Sequence, residues 1–87
     1  KVPGGKVVEI IVDVLDGIIT DLQITGDFFV HPEEGIGDLE RCLINQSVKE
    51  NDMVLLNRIN ETVVEKELKL VGVTPKSIVL VLREALE

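Results

Sequence analysis

One cysteine in this 87-residue chain could act as a nucleophile or as a carrier of sulfur. Cys42 follows Arg41, and a reactive thiol needs an electropositive, exposed setting of this kind. Cys42 also falls between Leu39 and Leu43, which share helical spacing. A free cysteine in that position usually packs as a small hydrophobic residue, so the sequence favours a structural thiol.

The single histidine, His31, stands beside Pro32 and two acidic residues, Glu33 and Glu34. This order is typical of a helix start, where proline and carboxylates are favoured. No second His or Cys lies at ligand spacing, so the sequence does not predict a zinc site. No serine has the glycine elbow of a hydrolase nucleophile.

Two glycine-containing stretches could contact a ligand. Gly4-Gly5-Lys6 lacks the G-x-x-x-x-G-K-[ST] spacing of a phosphate loop, and it precedes a predicted strand rather than a helix. Asp27, after Gly26, is most simply a turn residue whose carboxylate binds nearby backbone N–H groups.

The composition restricts the possible partners. The net charge of -7 disfavours nucleic acid and anionic membranes, and the near-absence of aromatic residues disfavours stacking on bases. A lone thiol fits the reducing cytoplasm, and no apolar run reaches the roughly 18 residues of a membrane helix. We expect one domain over residues 1–87. Because the sequence lacks an initiator Met, we expect it to lack a few preceding residues or to be part of a longer protein.

The elements that must position these residues begin with a hairpin. Residues 7–15 and 18–25 are rich in β-branched side chains and predict two antiparallel strands. A three-residue loop with Gly17 in the left-handed conformation would pair Val14 with Ile18 and would leave one face nearly all apolar. The sequence therefore predicts a type I turn with a glycine bulge. The other face is mixed and includes Ile11 and Ile19.

Three helices are predicted after the hairpin. The first starts at residues 31–34 and ends near residues 45–47. The second is capped by Asn51 or Asp52 and runs to about Lys66 or Lys69. The third has Thr74 as its cap and Pro75 at its first position. The fold class is α+β: an antiparallel hairpin of two to three strands packed by about three C-terminal helices.

Three stretches resemble the accessory domain of lipoate–protein ligases. In chain order they are Lys1-Val2-Pro3-Gly4-Gly5-Lys6, Thr25-Gly26-Asp27-Phe28-Phe29 and Val71-Gly72-Val73-Thr74-Pro75. In some of these ligases the domain is the C-terminal part of one chain, and in bipartite, archaeal-type ligases it is a separate small subunit. The resemblance implies a fold similar to sulfur-acceptor and iron–sulfur scaffold proteins.

The resemblance also implies a function. The large catalytic subunit would hold ATP, Mg²⁺ and lipoate, would make lipoyl-AMP, and would transfer lipoate to a lysine of a lipoyl-domain protein. The small domain would have no catalytic residue, would bind no cofactor alone, and would be needed for the ATP-dependent activation step. The expected assembly is a cytoplasmic heterodimer.

In the predicted register Lys6 lies opposite Gly26, so the two signature stretches meet at one end of the sheet. Adjacent Phe side chains in an extended segment point to opposite sides, so one can enter the core while the other faces outward. The alternative is that both Phe residues belong to the core and that the glycines and Asp27 only build the turn. We expect this end to face the partner or its nucleotide site, through Lys1, Gly4, Gly5, Lys6, Gly26, Asp27, Phe28 and Phe29. The alternatives are a sulfur carrier or iron–sulfur scaffold that uses Cys42, and a generic interaction module.

Overall fold

The computed structural model of the protein describes residues 7–87. The elements in chain order are β1 (Val8–Leu15), β2 (Ile18–Gly26), β3 (Phe29–His31), α1 (Gly35–Leu43), α2 (Asp52–Glu65), β4 (Lys69–Val71) and α3 (Pro75–Leu86). The predicted α+β class, with an N-terminal hairpin and three helices, is confirmed. No helix within residues 7–87 has the length and apolarity needed to cross a membrane.

The hairpin turn differs from the predicted one. Asp16 and Gly17 both have positive φ, at 53° and 77°, and Leu15 pairs with Ile18. This is the two-residue Asp-Gly turn typical of tight hairpins, so the predicted three-residue loop is wrong. A two-residue turn by itself would mix charged and apolar residues on both faces. The chain avoids this with a bulge at Thr20, where the register shifts by one residue.

The bulge restores the faces that the sequence pattern requires. Beyond it, Val12 pairs with Leu22 and Ile10 with Ile24. This register lies two residues from the predicted one, and an even shift leaves every side chain in this part of the hairpin on its predicted face. Nearer the turn the prediction fails. Ile19, expected on the mixed face, is fully buried because the bulge follows it.

The outer edge of β2 is covered by the chain that follows α1. The N–H of Ile19 donates to the carbonyl of Gln46 at 2.9 Å, and the N–H of Asn45 donates to the carbonyl of Ile19 at 2.8 Å. Further along, the carboxylate of Glu40 on α1 accepts the N–H of Ile24 at 2.8 Å. This edge therefore has partners from a loop and from a helix.

Helix α1 is shorter than predicted at both ends. His31 belongs to β3 and residues 32–34 form a turn, so the helix begins at Gly35 rather than at Pro32. It ends at Leu43, because the following chain is extended and then adopts a left-handed conformation at Asn45, with φ of 72°. The residues around position 45 pair with β2 instead of continuing the helix.

Helices α2 and α3 begin as predicted. The side chain of Asn51 accepts the N–H of Met53 at 2.7 Å and caps α2. Thr74 caps α3 by accepting the N–H of Ser77 at 3.1 Å, and the Ser77 hydroxyl accepts the N–H of Thr74 in return. This reciprocal pair is a capping box, with Pro75 at the first helical position.

A second two-stranded sheet pairs β3, which precedes α1, with β4, which follows α2. Phe29 pairs with Val71, Val30 with Leu70 and His31 with Lys69. From the sequence, residues 28–30 could form a short further strand or an extended bridge, and residues 70–73 an apolar connector broken by a glycine. Three-residue strands carry too little periodic pattern to be recognised alone, and their pairing depends on tertiary contacts.

The core lies between the hairpin and the helices. Helix α3 packs against β1, α1 packs against β2, and α2 packs against both helices. The buried apolar residues are Val8, Ile19, Leu22, Ile24, Val30, Leu39, Leu43, Leu55, Ile59, Leu68, Val73, Ile78, Val79, Val81 and Leu82. They form a single cluster, in which Ile78 and Leu82 of α3 are fully or almost fully buried.

Candidate functional site

The end of the hairpin away from the turn is built around Gly26. Its φ is 154°, and a Cβ there would lie 2.2 Å from the carbonyl oxygen of Val7. Only glycine allows the two strands to approach this closely. In the observed register Val8, not Lys6, is the residue opposite Gly26, so the predicted pairing of Lys6 is wrong. Lys1, Gly4, Gly5 and Lys6 lie outside the described residues.

Asp27 fixes this end through its backbone. Its N–H donates to the carbonyl of Val7 at 2.8 Å, which extends the hairpin ladder past Gly26. Asp27 is exposed, and among the described residues the predicted side-chain brace is not seen, so the brace stays a prediction.

The two adjacent Phe side chains separate as the extended geometry predicts. Phe28 is half-buried and packs against the core, while Phe29 is 75% exposed. The expectation that one enters the core and the other faces outward is confirmed. A phenyl ring this exposed gains little from folding, so its place on the surface suits a contact with another molecule.

Phe29 is part of a small apolar surface. Its cross-strand partner Val71 is 50% exposed and projects from the same face of the β3–β4 ribbon. His31 and Lys69, two pairs further along and on the same face, are also exposed. The opposite face of the ribbon carries Val30, which is buried. The site residues expected from the sequence include Phe29 but not the other three, because the third signature stretch, which begins at Val71, gave no indication that residues 69–71 pair with β3.

Cys42 is held in a protected position. Its Sγ donates to the carbonyl of Leu39 at 3.0 Å on α1. Burial raises the pKa of the Cys42 thiol, although the nearby Thr62 hydroxyl and the charge of Arg58 act in the opposite direction. A half-buried, protonated thiol within a helix has neither the exposure nor the ionisation of a sulfur carrier. Within residues 7–87, no His, Cys, Asp and Glu side chains cluster closely enough to hold a metal ion.

A shallow groove of about 290 Å³ runs between the first half of α2 and α3. Met53 and Leu80 on its rim are 60% and 50% exposed, and Leu56 and Val79 lie deeper. Arg83 closes one end, where it is bound to the loop before α2. The groove is almost entirely apolar, and two of its charged residues, Arg83 and Asp52, bind each other.

Comparison with known protein families and solved structures shows the class of protein to which this chain belongs. The sequence matches the family described as bacterial lipoate protein ligase C-terminus across residues 1–82. The chain therefore belongs to that family, and the resemblance in its three signature stretches is confirmed. No curated protein matches the sequence.

A solved structure supports the same conclusion from the fold. It contains a bipartite lipoate protein ligase and its E2 lipoyl domain from Thermoplasma acidophilum, and one of its chains superimposes with a TM-score of 0.73. The two chains are 27% identical, and the match covers 90% of this chain and 83% of that one. The hairpin and three helices are thus shared with a chain of an archaeal lipoylation system.

Proposed function

We propose that this chain is the non-catalytic accessory part of a lipoate–protein ligase. It would be required when the catalytic partner activates lipoate with ATP to form lipoyl-AMP. The partner would hold ATP, Mg²⁺ and lipoate, and it would then transfer lipoate to a lysine of a lipoyl-domain protein. The two would act as a heterodimer in the cytoplasm.

The family match across residues 1–82 carries this proposal. The surfaces of the described residues are consistent with an accessory role. The described residues present surfaces suited to binding, above all the exposed Phe29, whereas Cys42 is protected and structural. A chain of this kind contributes to a reaction by ordering a partner that holds the reactants.

The partner-facing surface in this proposal is the end of the hairpin formed by Gly26, Asp27, Phe28 and Phe29. Phe29 and Val71 would fill an apolar recess of the partner, because exposed aromatic residues dominate many interfaces. Lys6, the residue before Val7 in sequence, would with Lys1 meet phosphate or an acidic group near the partner's nucleotide site. Gly4 and Gly5 would allow close backbone approach there.

Reconstitution tests the function. The chain alone should release no pyrophosphate from ATP and lipoate, and the catalytic ligase protein from the same organism should do so at an increased rate once this chain is added. Pyrophosphate release by the isolated chain that survives repurification would refute the accessory role. Lack of stimulation by a folded, correctly matched catalytic protein would count against the assignment to lipoate activation.

Variants test the surface separately. Phe29→Ser should weaken binding to the catalytic protein at least tenfold and leave the melting temperature almost unchanged, because Phe29 is 75% exposed. Val64→Ser on α2, where Val64 is 77% exposed, is the matched control and should have no effect on binding. Lys6→Ala should lower lipoyl-AMP formation, with Lys66→Ala as its control. Unchanged binding by Phe29→Ser together with unchanged activation by Lys6→Ala would exclude this end as the contact.

A further inference from the structure

The outer edge of β1 has backbone groups that point away from the hairpin. The carbonyl of Val7 accepts a hydrogen bond from the N–H of Asp27, so the backbone N–H and C=O of Val7 point towards β2. Because these groups alternate in direction along a strand, the backbone N–H and C=O groups of Val8, Ile10 and Val12 point away from β2. The opposite strand gives the same result. Ile24, the partner of Ile10, uses its N–H to bind Glu40 and so faces away from β1.

The two edges of the hairpin differ in whether their backbone groups have hydrogen-bond partners. The edge of β2 is covered by the chain around residue 46 and by Glu40, as described above. Within residues 7–87, the outward N–H and C=O groups of β1 have no hydrogen-bond partner. Helix α3 packs against β1, but its backbone bonds are internal and cannot complete the ladder. A strand eight residues long therefore offers an open edge for pairing.

The charges beside this edge determine what can pair with it. Asp13 lies directly opposite Asp21 on the solvent face of the hairpin, and like charges in that position destabilise a sheet. Glu9 lies on the same face of β1, and within residues 7–87 these three carboxylates form no salt bridge. A second copy pairing antiparallel through β1 would bring Glu9 and Asp13 of both chains together, so the edge disfavours self-association.

We propose that the edge of β1 binds an extended segment of the catalytic partner that carries Lys or Arg at alternating positions. The segment would add a third strand to the hairpin, and its cations would lie beside Glu9 and Asp13, with Asp21 one strand further away on the same face. Ile11 and Leu15, which are 62% and 66% exposed on the same face, would contact the alkyl parts of those side chains. This inference rests on the proposed function, because it takes the ligase catalytic protein as the partner.

Amide hydrogen exchange tests strand addition directly. In the free chain the outward amides of Ile10 and Val12 should exchange fast, whereas those of Glu9 and Ile11, which bond to β2, should already be protected. In the complex with the catalytic ligase protein, exchange at Ile10 and Val12 should slow at least tenfold. A complex that forms without slowing these two amides would overturn the inference.

A charge reversal separates binding from stability. Asp13→Lys should raise the melting temperature, because it replaces the Asp13–Asp21 repulsion with attraction, yet weaken binding at least tenfold. A purely structural role would move both quantities in the same direction. Glu61→Lys makes the same change of charge on the exposed side of α2 and should leave binding unaltered. Equal binding by wild type and Asp13→Lys would contradict the charge match.

A proline tests the backbone edge. Val14 lies at the end of β1 and is 44% exposed. The backbone groups of its partner Ile19 bond to the loop after α1 and not to β1, so the N–H of Val14 also points away from the partner strand. Val14→Pro removes that donor without removing a ladder bond and should weaken binding, whereas Val14→Ala should not. If wild type activates the partner and neither Asp13→Lys nor Val14→Pro alters binding, the edge inference fails while the proposed function stands. A stable dimer of the chain alone that Val14→Pro dissociates would also overturn it.

Discussion

Gly26 is the residue on which the geometry of the hairpin end depends most directly. Gly26→Ala should lower the free energy of unfolding by more than about 3 kcal/mol, since it combines backbone strain with a steric clash. The clash is with the carbonyl of Val7, which cannot move without breaking its bond to Asp27. Urea denaturation measures the change.

Gly17→Ala is the control for this prediction. Gly17 also has positive φ, but a Cβ there would meet nothing within 4 Å. Its replacement should cost only the left-handed strain of roughly 1–2 kcal/mol. Equal losses from the two variants would show that the close contact of Gly26 with Val7 has no energetic weight.

Cys42 should be dispensable for activation of the partner. Cys42→Ala should retain activation and should cost about 1 kcal/mol of stability, because it removes one half-buried sulfur atom. A variant that folds and binds the partner but fails to activate it would revive the sulfur-carrier interpretation.

The raised pKa of Cys42 also gives a pH dependence with a definite sign. The unfolded chain loses the thiol proton above about pH 8.5, whereas the folded chain keeps it to higher pH. The contribution of the thiol to stability is therefore complete below that pH and is lost as the pH rises towards the folded-state pKa. The difference in unfolding free energy between wild type and Cys42→Ala should shrink over this interval, and a constant difference would contradict the assigned burial.

At the scale of elements, α1 contains two glycines with opposite roles. A Cβ at Gly35 would lie 2.5 Å from Cδ2 of Leu68 and 2.9 Å from Cγ1 of Val30, both of which are buried. A Cβ at Gly37 would meet only the side chain of Arg41, which is exposed. Glycine is therefore required at position 35, where the helix passes under the β3–β4 ribbon, and is only a weak helix former at position 37.

The two substitutions should therefore change stability in opposite directions. Gly35→Ala should destabilise the protein by about 1–3 kcal/mol through overpacking. Gly37→Ala should stabilise it by about 0.5–1 kcal/mol through helix propensity. Thermal denaturation of both variants provides the comparison. A stabilising Gly35→Ala would mean that Leu68 and Val30 can move aside.

The hairpin shows which parts of an element can be deduced from sequence. Alternation along residues 7–15 and 18–25 selects the buried face, and Val8, Leu22 and Ile24 are buried as expected. The same alternation cannot distinguish a three-residue loop from a two-residue turn with a bulge, because both keep those faces. The signal for the actual turn was the Asp16-Gly17 pair, whose preference for positive φ at both residues favours the two-residue turn.

At the scale of the whole molecule, an element could be predicted from sequence when its own residues carried a long enough pattern. The long helices α2 and α3 carry caps and apolar stripes, so their starts were predicted from local residues. The β3–β4 ribbon joins segments about 40 residues apart in sequence through three pairs, and no local pattern specifies it. The exposed Phe29 could be named as a site residue from a signature, but its partner Val71 could be found only from the fold.

Arg83 joins distant parts of the molecule in a way that no periodicity indicates. From α3 it donates to the carbonyl of Val48 at 2.7 Å, to the carbonyl of Glu50 and to the carboxylate of Asp52. These acceptors lie in the loop between α1 and α2 and at the start of α2. A planar guanidinium can serve all three at once, which a lysine ammonium on a flexible chain cannot.

Magnitudes decide which of these bonds stabilises the molecule most. The carboxylate of Asp52 is 63% exposed, and ion pairs of that kind contribute less than about 1 kcal/mol. The two carbonyls are part-buried, and each would lose a bond to a charged donor, worth roughly 1.5–3 kcal/mol.

We therefore expect Arg83→Met to lower the free energy of unfolding by about 3 kcal/mol or more in urea denaturation. Arg83→Lys should recover only part of this loss, and Asp52→Asn should cost less than about 1 kcal/mol. Arg58→Met on the exposed side of α2 is the control. If Asp52→Asn proved as damaging as Arg83→Met, the exposed ion pair rather than the loop carbonyls would hold α3 to the rest of the fold.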